Sequence, residues 1–226
     1  MKFSTHHIFK MKDISNLPVF STLTKEEKQL LMENCTVINF EEREAVFKQG
    51  SFAVNSYYIL EGLCKITYQE KTKKRIITVL HEDRFIGLDY ALKDYYPYSF
   101  YALTHAKMLV IPISFLNSIC ENNCFFYKRL SGILISYLTS TTKWMVDTGL
   151  KNVQGSVAMF LLKYYAEKDY QEINLSREEM SEVIGYSREN VIHTLKNFCK
   201  EKLIITSGKS IKILNKKKLE EIVKRS

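Results

Sequence analysis

With 226 residues, 46% of them hydrophobic and 26% charged, the chain has the composition of an ordinary soluble protein and room for two modest domains with their own cores. The net charge is +8; residues 151–226 contribute +5 of it through 15 Lys/Arg against 10 Asp/Glu, a concentration that suits a polyanionic partner. No apolar run approaches the length of a membrane span, and the start MKFSTHHIFK lacks the apolar core of a signal peptide, so no membrane partner and a cytoplasmic location are expected. Cys35, Cys64, Cys120, Cys124 and Cys199 are scattered and odd in number, which fits reduced thiols.

Residues 1–34 read as a polar lead, with His6 and His7 as terminus rather than ligands, followed by one helix. Thr24 is its N-cap candidate with Glu27 three residues on, and Leu30 and Leu31 are expected to face inward. From Val37 to about Ile111 the pattern changes to short strands: Val37–Phe40, Ala45–Phe47, Tyr57–Leu60, Leu63–Tyr68, Ile76–Leu80 and Lys107–Ile111. Gly50 and Glu61-Gly62 supply turns where a positive φ is needed. Short strands at near-regular spacing imply a small antiparallel barrel or roll. Phe47-x-x-Gly50, then Tyr58-Ile59-Leu60-Glu61-Gly62 and Lys65, resembles the jelly-roll domain of cyclic-nucleotide-binding proteins.

Pro112 marks the exit from the roll. A short helix, Ser114 to about Asn122, precedes a long one from about Phe125 to Val146. Phe126, Leu130, Ile133, Tyr137, Ser140 and Trp144 form one stripe on it, and Leu134, Leu138, Thr141 and Met145 a neighbouring one. One stripe can pack on the roll and the other on a partner, since a helix this long and apolar on two sides is poorly explained within a monomer. Asp147 to Lys151, with Gly149, reads as a hinge, and Val153 to about Glu167 as a helix with Val157, Phe160, Leu161 and Tyr164 inward.

The stretch Leu175–Leu203 carries the strongest signal. Ser176 with Glu179 makes a capping box, Met180, Val183 and Ile184 a buried stripe, Gly185 a tight turn, and Ser187 a second N-cap. The following helix, Arg188 to Lys200, places Val191, Leu195 and Phe198 at i, i+4 and i+7. Two short helices joined by a glycine turn form either a helix-turn-helix or a plain αα-hairpin in a helical core. A core hairpin has no reason to crowd Arg188, Glu189, Asn190 and His193 onto one face, and a major-groove helix does. Leu203-Ile204-Ile205, the turn Ser207–Ser210 and Ile211-Lys212-Ile213 then read as a wing, with Lys209 at its tip within reach of a phosphate. Lys216-Lys217-Lys218 reads as a solvated face.

Ile184-Gly185-x-Ser187-Arg188-Glu189-x-Val191, followed by Leu203-Ile204 and Gly208-Lys209, resembles the signature of the Crp/Fnr family of bacterial transcription regulators. The resemblance implies an α+β fold: an N-terminal antiparallel β-roll (jelly roll) over 1–123, a dimerisation helix and hinge over 124–148, and a winged helix-turn-helix over 149–226. It also implies a homodimer seated through the long helix (Phe126, Leu130, Ile133, Leu134, Tyr137, Leu138, Thr141, Met145), an inverted-repeat site on double-stranded DNA, and RNA polymerase as a further partner. Ser176, Ser187, Asn190 and Lys209 become candidate DNA contacts, with Arg188 placed for guanine and Glu189 for cytosine. His193 stands where a second arginine is frequent, so the half-site is expected to depart from TGTGA at its inner positions.

Relatives that bind cyclic AMP hold it with a Gly-Glu-Leu segment and a later Arg-Ser pair. Aligned without a gap, these fall on Phe85-Ile86-Gly87-Leu88 and Tyr98-Ser99. Gly87 and Ser99 match; Leu88 replaces the ribose-binding glutamate and Tyr98 the phosphate-binding arginine. A buried cyclic phosphate without that arginine costs roughly several kcal/mol, which argues against cyclic AMP. Thr141 and Thr142 occupy the place of the polar pair that touches the base. Five tyrosines between Tyr90 and Tyr101, with Pro97 and Phe100, fit either a pocket remodelled for an apolar or aromatic effector or side chains filling the vacated space. The cysteines show no iron–sulfur cluster pattern, Cys120-x-x-x-Cys124 alone makes no metal site, and His81 and His105 are the only histidines in the roll that a haem could use. No metal or other cofactor is expected. No catalytic motif or paired titratable pocket groups are present, so an enzyme is not expected either.

Overall fold

The computed structural model describes residues 17–71, 73–88, 94–167, 172–173 and 175–226; His6, His7 and Tyr90 lie outside them. The chain divides into two compact units, one containing most of the roll and the long helix as far as Leu138, the other made of Lys74–Thr78 and Thr139–Ser226.

In the first unit, a 3-10 turn (Pro18–Phe20) leads into α1 (Lys25–Asn34). Thr24 and Glu27 close a capping box: the Thr24 N–H donates to Glu27 Oε2 at 2.8 Å and the Glu27 N–H to Thr24 Oγ1 at 3.2 Å. Leu31 is buried as expected, but Leu30 is exposed: a helix this short covers only one line of side chains. The strands are β1 (Thr36–Phe40), β2 (Ala45–Phe47), β3 (Asn55–Glu61), β4 (Cys64–Glu70), β5 (Lys73–Leu80), β6 (Phe85–Ile86), β7 (Ser99–Ala102) and β8 (Ala106–Pro112). They form two sheets of order β1-β8-β3-β6 and β2-β7-β4-β5, the face-to-face roll that the sequence implied. The short β6 and the alternating β7 are additions to that reading.

The position of β3 explains its sequence. It is an inner strand with β8 on one edge and β6 on the other, and Ser56 through Leu60 are all buried. Tyr57 and Ile59 join Phe47, Phe100 and Met108 in the core inside the roll. Tyr58 and Leu60, on the opposite face, join Phe20, Leu31, Phe85, Phe126 and Leu130 beneath the helices. A strand buried on both faces loses the alternation of a half-exposed one and reads as a continuous apolar run. After it, Gly62 turns the chain with φ 94°, and a Cβ there would collide with the His105 carbonyl and Ala106.

α2 (Ile113–Asn122) and α3 (Cys124–Leu150) are separated by Asn123, whose Oδ1 accepts the Phe126 N–H at 2.9 Å and whose Nδ2 donates to Glu27 Oε2 at 2.7 Å. Phe126 stacks on Phe20 with centroids 6.3 Å apart, and Phe20 meets Phe85 edge-on at 6.2 Å. Further along, the Tyr137 hydroxyl accepts the Phe85 N–H at 2.9 Å. Phe126, Leu130, Ile133 and Tyr137, expected among the dimer-helix residues, are therefore claimed by their own roll. The neighbouring stripe is different: Leu134, Leu138, Thr141 and Met145 are exposed, Leu138 at 69% and Met145 at 68%.

The helix also outlasts its expected end. Gly149 lies within α3, and the break falls at Lys151-Asn152, where Asn152 Oδ1 accepts the Gly155 N–H at 3.0 Å. A single glycine in a helix costs only about 1 kcal/mol, too little to stop one by itself.

The second unit contains α4 (Val153–Glu167), β9 (Glu172–Ile173), α5 (Arg177–Ile184), α6 (Arg188–Lys200), β10 (Ile204–Ser207), β11 (Ser210–Ile213) and α7 (Lys216–Arg225). Val157, Phe160, Leu161 and Tyr164 are buried as expected. The three strands are ordered β10-β11-β9. α7 was not foreseen, because Asn215–Lys218 present four polar residues before the buried Leu219. Asn215 caps it through the Lys218 N–H (3.0 Å), and Lys151 Nζ donates to the Val223 carbonyl at its far end (3.0 Å). Lys216, Lys217 and Lys218 are exposed on its first turn.

Phe126→Ala should destabilise the roll by about 3–5 kcal/mol, since it empties a fully buried site in the aromatic cluster. The measurement is urea denaturation followed through the roll's unfolding transition.

Candidate nucleic-acid interface

The surface is built by two helix starts. At the first, the Glu179 N–H donates to Ser176 Oγ at 3.1 Å, while the Ser176 N–H and hydroxyl donate to Glu179 Oε2 at 3.0 and 2.9 Å. Ser176, a candidate DNA contact, is thus half-buried with its hydroxyl committed to the cap. α5 buries Met180, Val183 and Ile184 and ends on Gly185 in the left-handed conformation (φ 85°), whose N–H reaches the Ser181 carbonyl at 2.8 Å. Only glycine adopts that conformation without strain, and it lets the chain reverse in three residues. Ser187 then starts α6, accepting the Asn190 N–H at 3.3 Å. Tyr186, between the two, donates its hydroxyl to the Lys151 carbonyl at 2.7 Å and fastens the turn to the start of α4.

α6 divides cleanly between its two faces. Val191, Thr194, Leu195 and Phe198 are buried; Arg188, Glu189, Asn190, His193, Lys196 and Lys200 are exposed. The structure therefore gathers the candidate DNA-contacting residues Arg188, Glu189, Asn190 and His193 at one helix start, exposed to solvent. Arg188 Nε also lies 3.5 Å from Glu178 Oε2 on the first turn of α5. Lys196 and Lys200 extend the same face and were missed, although they follow His193 at helical steps of three and four.

Beside this face stands the wing, β10 paired with β11 from Ile204↔Ile213 to Ser207↔Ser210. Lys209 is exposed at its tip. The tip is tied down from below: Arg177 donates through Nη2 to the Gly208 carbonyl at 3.2 Å and through Nη1 to the Lys209 carbonyl at 3.4 Å. Burial holds the Arg177 guanidinium below the usual arginine range, with Cys199 opposing that shift. Arg177 also escaped the sequence reading, since nothing in its spacing points to backbone carbonyls across the unit.

In the roll, Phe85-Ile86 ends on Gly87 (φ 88°), whose carbonyl accepts the Ser56 hydroxyl at 3.0 Å. Leu88 joins the core beneath the helices, and half-buried Tyr98 packs against the core inside the roll, its ring 6.0 Å from that of Phe47. Ser99 Oγ accepts the Gln49 N–H at 2.9 Å. Between them Tyr96 stacks on Phe47 at 3.8 Å and donates its hydroxyl to the Asn55 carbonyl at 2.6 Å; burial pushes its phenol well above the usual range. Phe100 closes on Phe47 at 5.5 Å. These residues fill the roll's interior with rings and supply no cation for a phosphate among those described. Thr141 and Thr142 are exposed on the part of α3 that belongs to the other unit.

His81 is buried, with Nδ1 2.8 Å from the Glu82 carbonyl oxygen, and His105 is exposed. The five cysteines are unpaired, and burial pushes the Cys35 and Cys64 thiols up to about 12. Among the described residues no three His, Cys, Asp or Glu side chains group as a metal site, and no helix is long and apolar enough to cross a membrane.

The profile of the cyclic nucleotide-binding domain matches residues 37–123, and that of the Crp-like helix-turn-helix domain residues 155–222. The chain is 24% identical over 189 residues to the cAMP-activated global transcriptional regulator CRP of Salmonella typhimurium, covering 80% of this chain and 90% of that protein. Among solved structures it is similar to FixK2 from Bradyrhizobium japonicum (TM-score 0.74, 18% identity, 83% of this chain and 96% of that one). It is also similar to the c-di-GMP responsive global regulator CLP of Xanthomonas campestris (TM-score 0.71, 18% identity, 84% and 99%). A sensor-type roll joined to a winged helix-turn-helix defines a DNA-binding transcription regulator, not an enzyme. The chain belongs to the Crp/Fnr family.

Proposed function

We propose that this regulator binds an inverted-repeat DNA site as a homodimer and that cyclic AMP does not switch it. The observation that carries the DNA reading is the exposed start of α6, Arg188 to His193, beside a wing tipped by Lys209. Arg188 is the guanine reader, Glu189 the cytosine acceptor, and His193 reads an inner position of the half-site. Ser187, Asn190 and Lys209 serve the phosphates and fix register. Leu134, Leu138, Thr141 and Met145 on α3 support the dimer, since a stripe this apolar and exposed is the kind of surface a second copy covers. Two copies of α6 would then read half-sites with centres about 34–36 Å apart. RNA polymerase is the further partner expected of such a regulator.

Independence from cyclic AMP rests on Leu88 and Tyr98. The first is part of a packed core, the second offers no positive charge, and the Ser99 hydroxyl already holds a backbone N–H. Two neutral hydrogen bonds of about 0.5–1.5 kcal/mol each do not offset desolvating an anion. Relatives of this fold are described as responding to different nucleotides, cAMP in one case and c-di-GMP in another, so the fold itself prescribes no effector. The aromatic filling favours a roll that acts as scaffold over one that awaits a ligand.

Selection from a random duplex library should return an inverted repeat. On that site, Arg188→Ala should cost about 1–3 kcal/mol and relax preference at one base pair per half-site. An unchanged ratio of specific to random binding would remove Arg188 as a reader. Leu138→Glu should produce monomers in sedimentation that bind the repeat far more weakly, whereas an intact dimer would move the seam elsewhere. Calorimetry with millimolar cyclic AMP should show no binding heat, and micromolar binding would overturn the pocket argument.

A further inference from the structure

The Glu178–Arg188 pair joins the first turn of α5 to the first turn of α6, so the carboxylate sits at the edge of the proposed base-reading surface. Its geometry is selective. Glu178 Oε2 is 3.5 Å from Arg188 Nε, the nitrogen on the inner edge of the guanidinium. End-on reading of guanine uses two parallel donors, which the terminal nitrogens Nη1 and Nη2 supply. An ion pair made at Nε leaves the two terminal nitrogens to serve the base.

The same carboxylate opposes a different use of Arg188. On random DNA a long exposed arginine collects phosphate contacts, the sequence-independent part of affinity. Both side chains are largely in solvent, at 58% and 63% exposure, so Glu178 would confront any phosphate that Arg188 swings out to meet. Glu179, next along, is committed to the cap and cannot take its place.

We propose that Glu178 is a positioning residue for specificity: it presents Arg188 to guanine and penalises its capture by phosphate. The proposal rests on Arg188 being a base reader.

The test uses the full chain with a duplex enriched by selection and a scrambled duplex of the same composition, across a salt series. Glu178→Gln should tighten binding to the scrambled duplex by roughly 3- to 10-fold near 0.1 M salt and steepen its salt dependence, because a charge that opposes phosphate contact is gone. Affinity for the selected duplex should stay within about twofold or weaken, so the specificity ratio falls. Glu178→Ala, which removes the carboxylate and its stem together, should lower the ratio at least as far. In the Arg188→Ala background, Glu178→Gln should shift both duplexes equally and leave the ratio where it was. Melting temperatures matched to wild type confirm that the variants fold. If Arg188→Ala lowers the ratio but neither Glu178 variant does, the positioning role is wrong and base reading stands. The positioning role is equally wrong if Glu178→Gln lowers the ratio as much without Arg188 as with it. If Arg188→Ala leaves the ratio unchanged, base reading fails and this proposal falls with it.

Discussion

Burial of both faces of β3 is the constraint on which the N-terminal unit is built. One face, through Tyr57 and Ile59, holds the two sheets together; the other, through Tyr58 and Leu60, is where the helices dock. The start of α3 is positioned by the second face, because Phe126 reaches the strand by way of Phe20 and Phe85. Tyr137 adds a polar fixing point, its hydroxyl satisfying the Phe85 N–H. Two adjacent stripes on that helix therefore differ: one is taken up by the roll, the other lies exposed.

In the second unit, hydrogen bonds at helix ends fix the turns that its apolar core leaves open. α5 and α6 are short enough that unsatisfied N–H groups in their first turns would be a large share of their bonding, and Ser176, Glu179 and Ser187 supply the missing acceptors. Gly185 sets the angle between the helices, while Tyr186 and Arg177 pin the turn and the wing by donating to backbone carbonyls. The side chains at the outer start of α6 can then be long, charged and exposed, because the caps, Tyr186 and Arg177 already hold the turn and the wing.

That division explains what was legible in the sequence. Caps, glycine turns and apolar periodicity are local, so the ends of α5 and α6, the strand Ala45–Phe47 and the helix Val153–Glu167 could be read almost to the residue. Leu30 was misplaced because a ten-residue helix can turn either of two adjacent leucines inward, and the tertiary partner decides. The break expected at Asp147–Lys151 moved because glycine weakens a helix less than the capping asparagine behind it defines a new one. Arg177 and Glu178 stayed hidden because their partners, the wing carbonyls and Arg188, become neighbours only after folding. β6, β9 and the polar start of α7 carry too little apolar pattern to announce themselves.

The ring-filled interior of the roll has a consequence for design. Phe100 is fully buried in the core inside the roll and its ring lies beside that of Phe47, so trimming it to alanine would leave an apolar void next to Phe47. Apolar voids of this kind stay dry and admit guests of benzene's size and character. A roll filled in this way is thus one side chain away from holding a small aromatic guest, with its β-strand frame already in place.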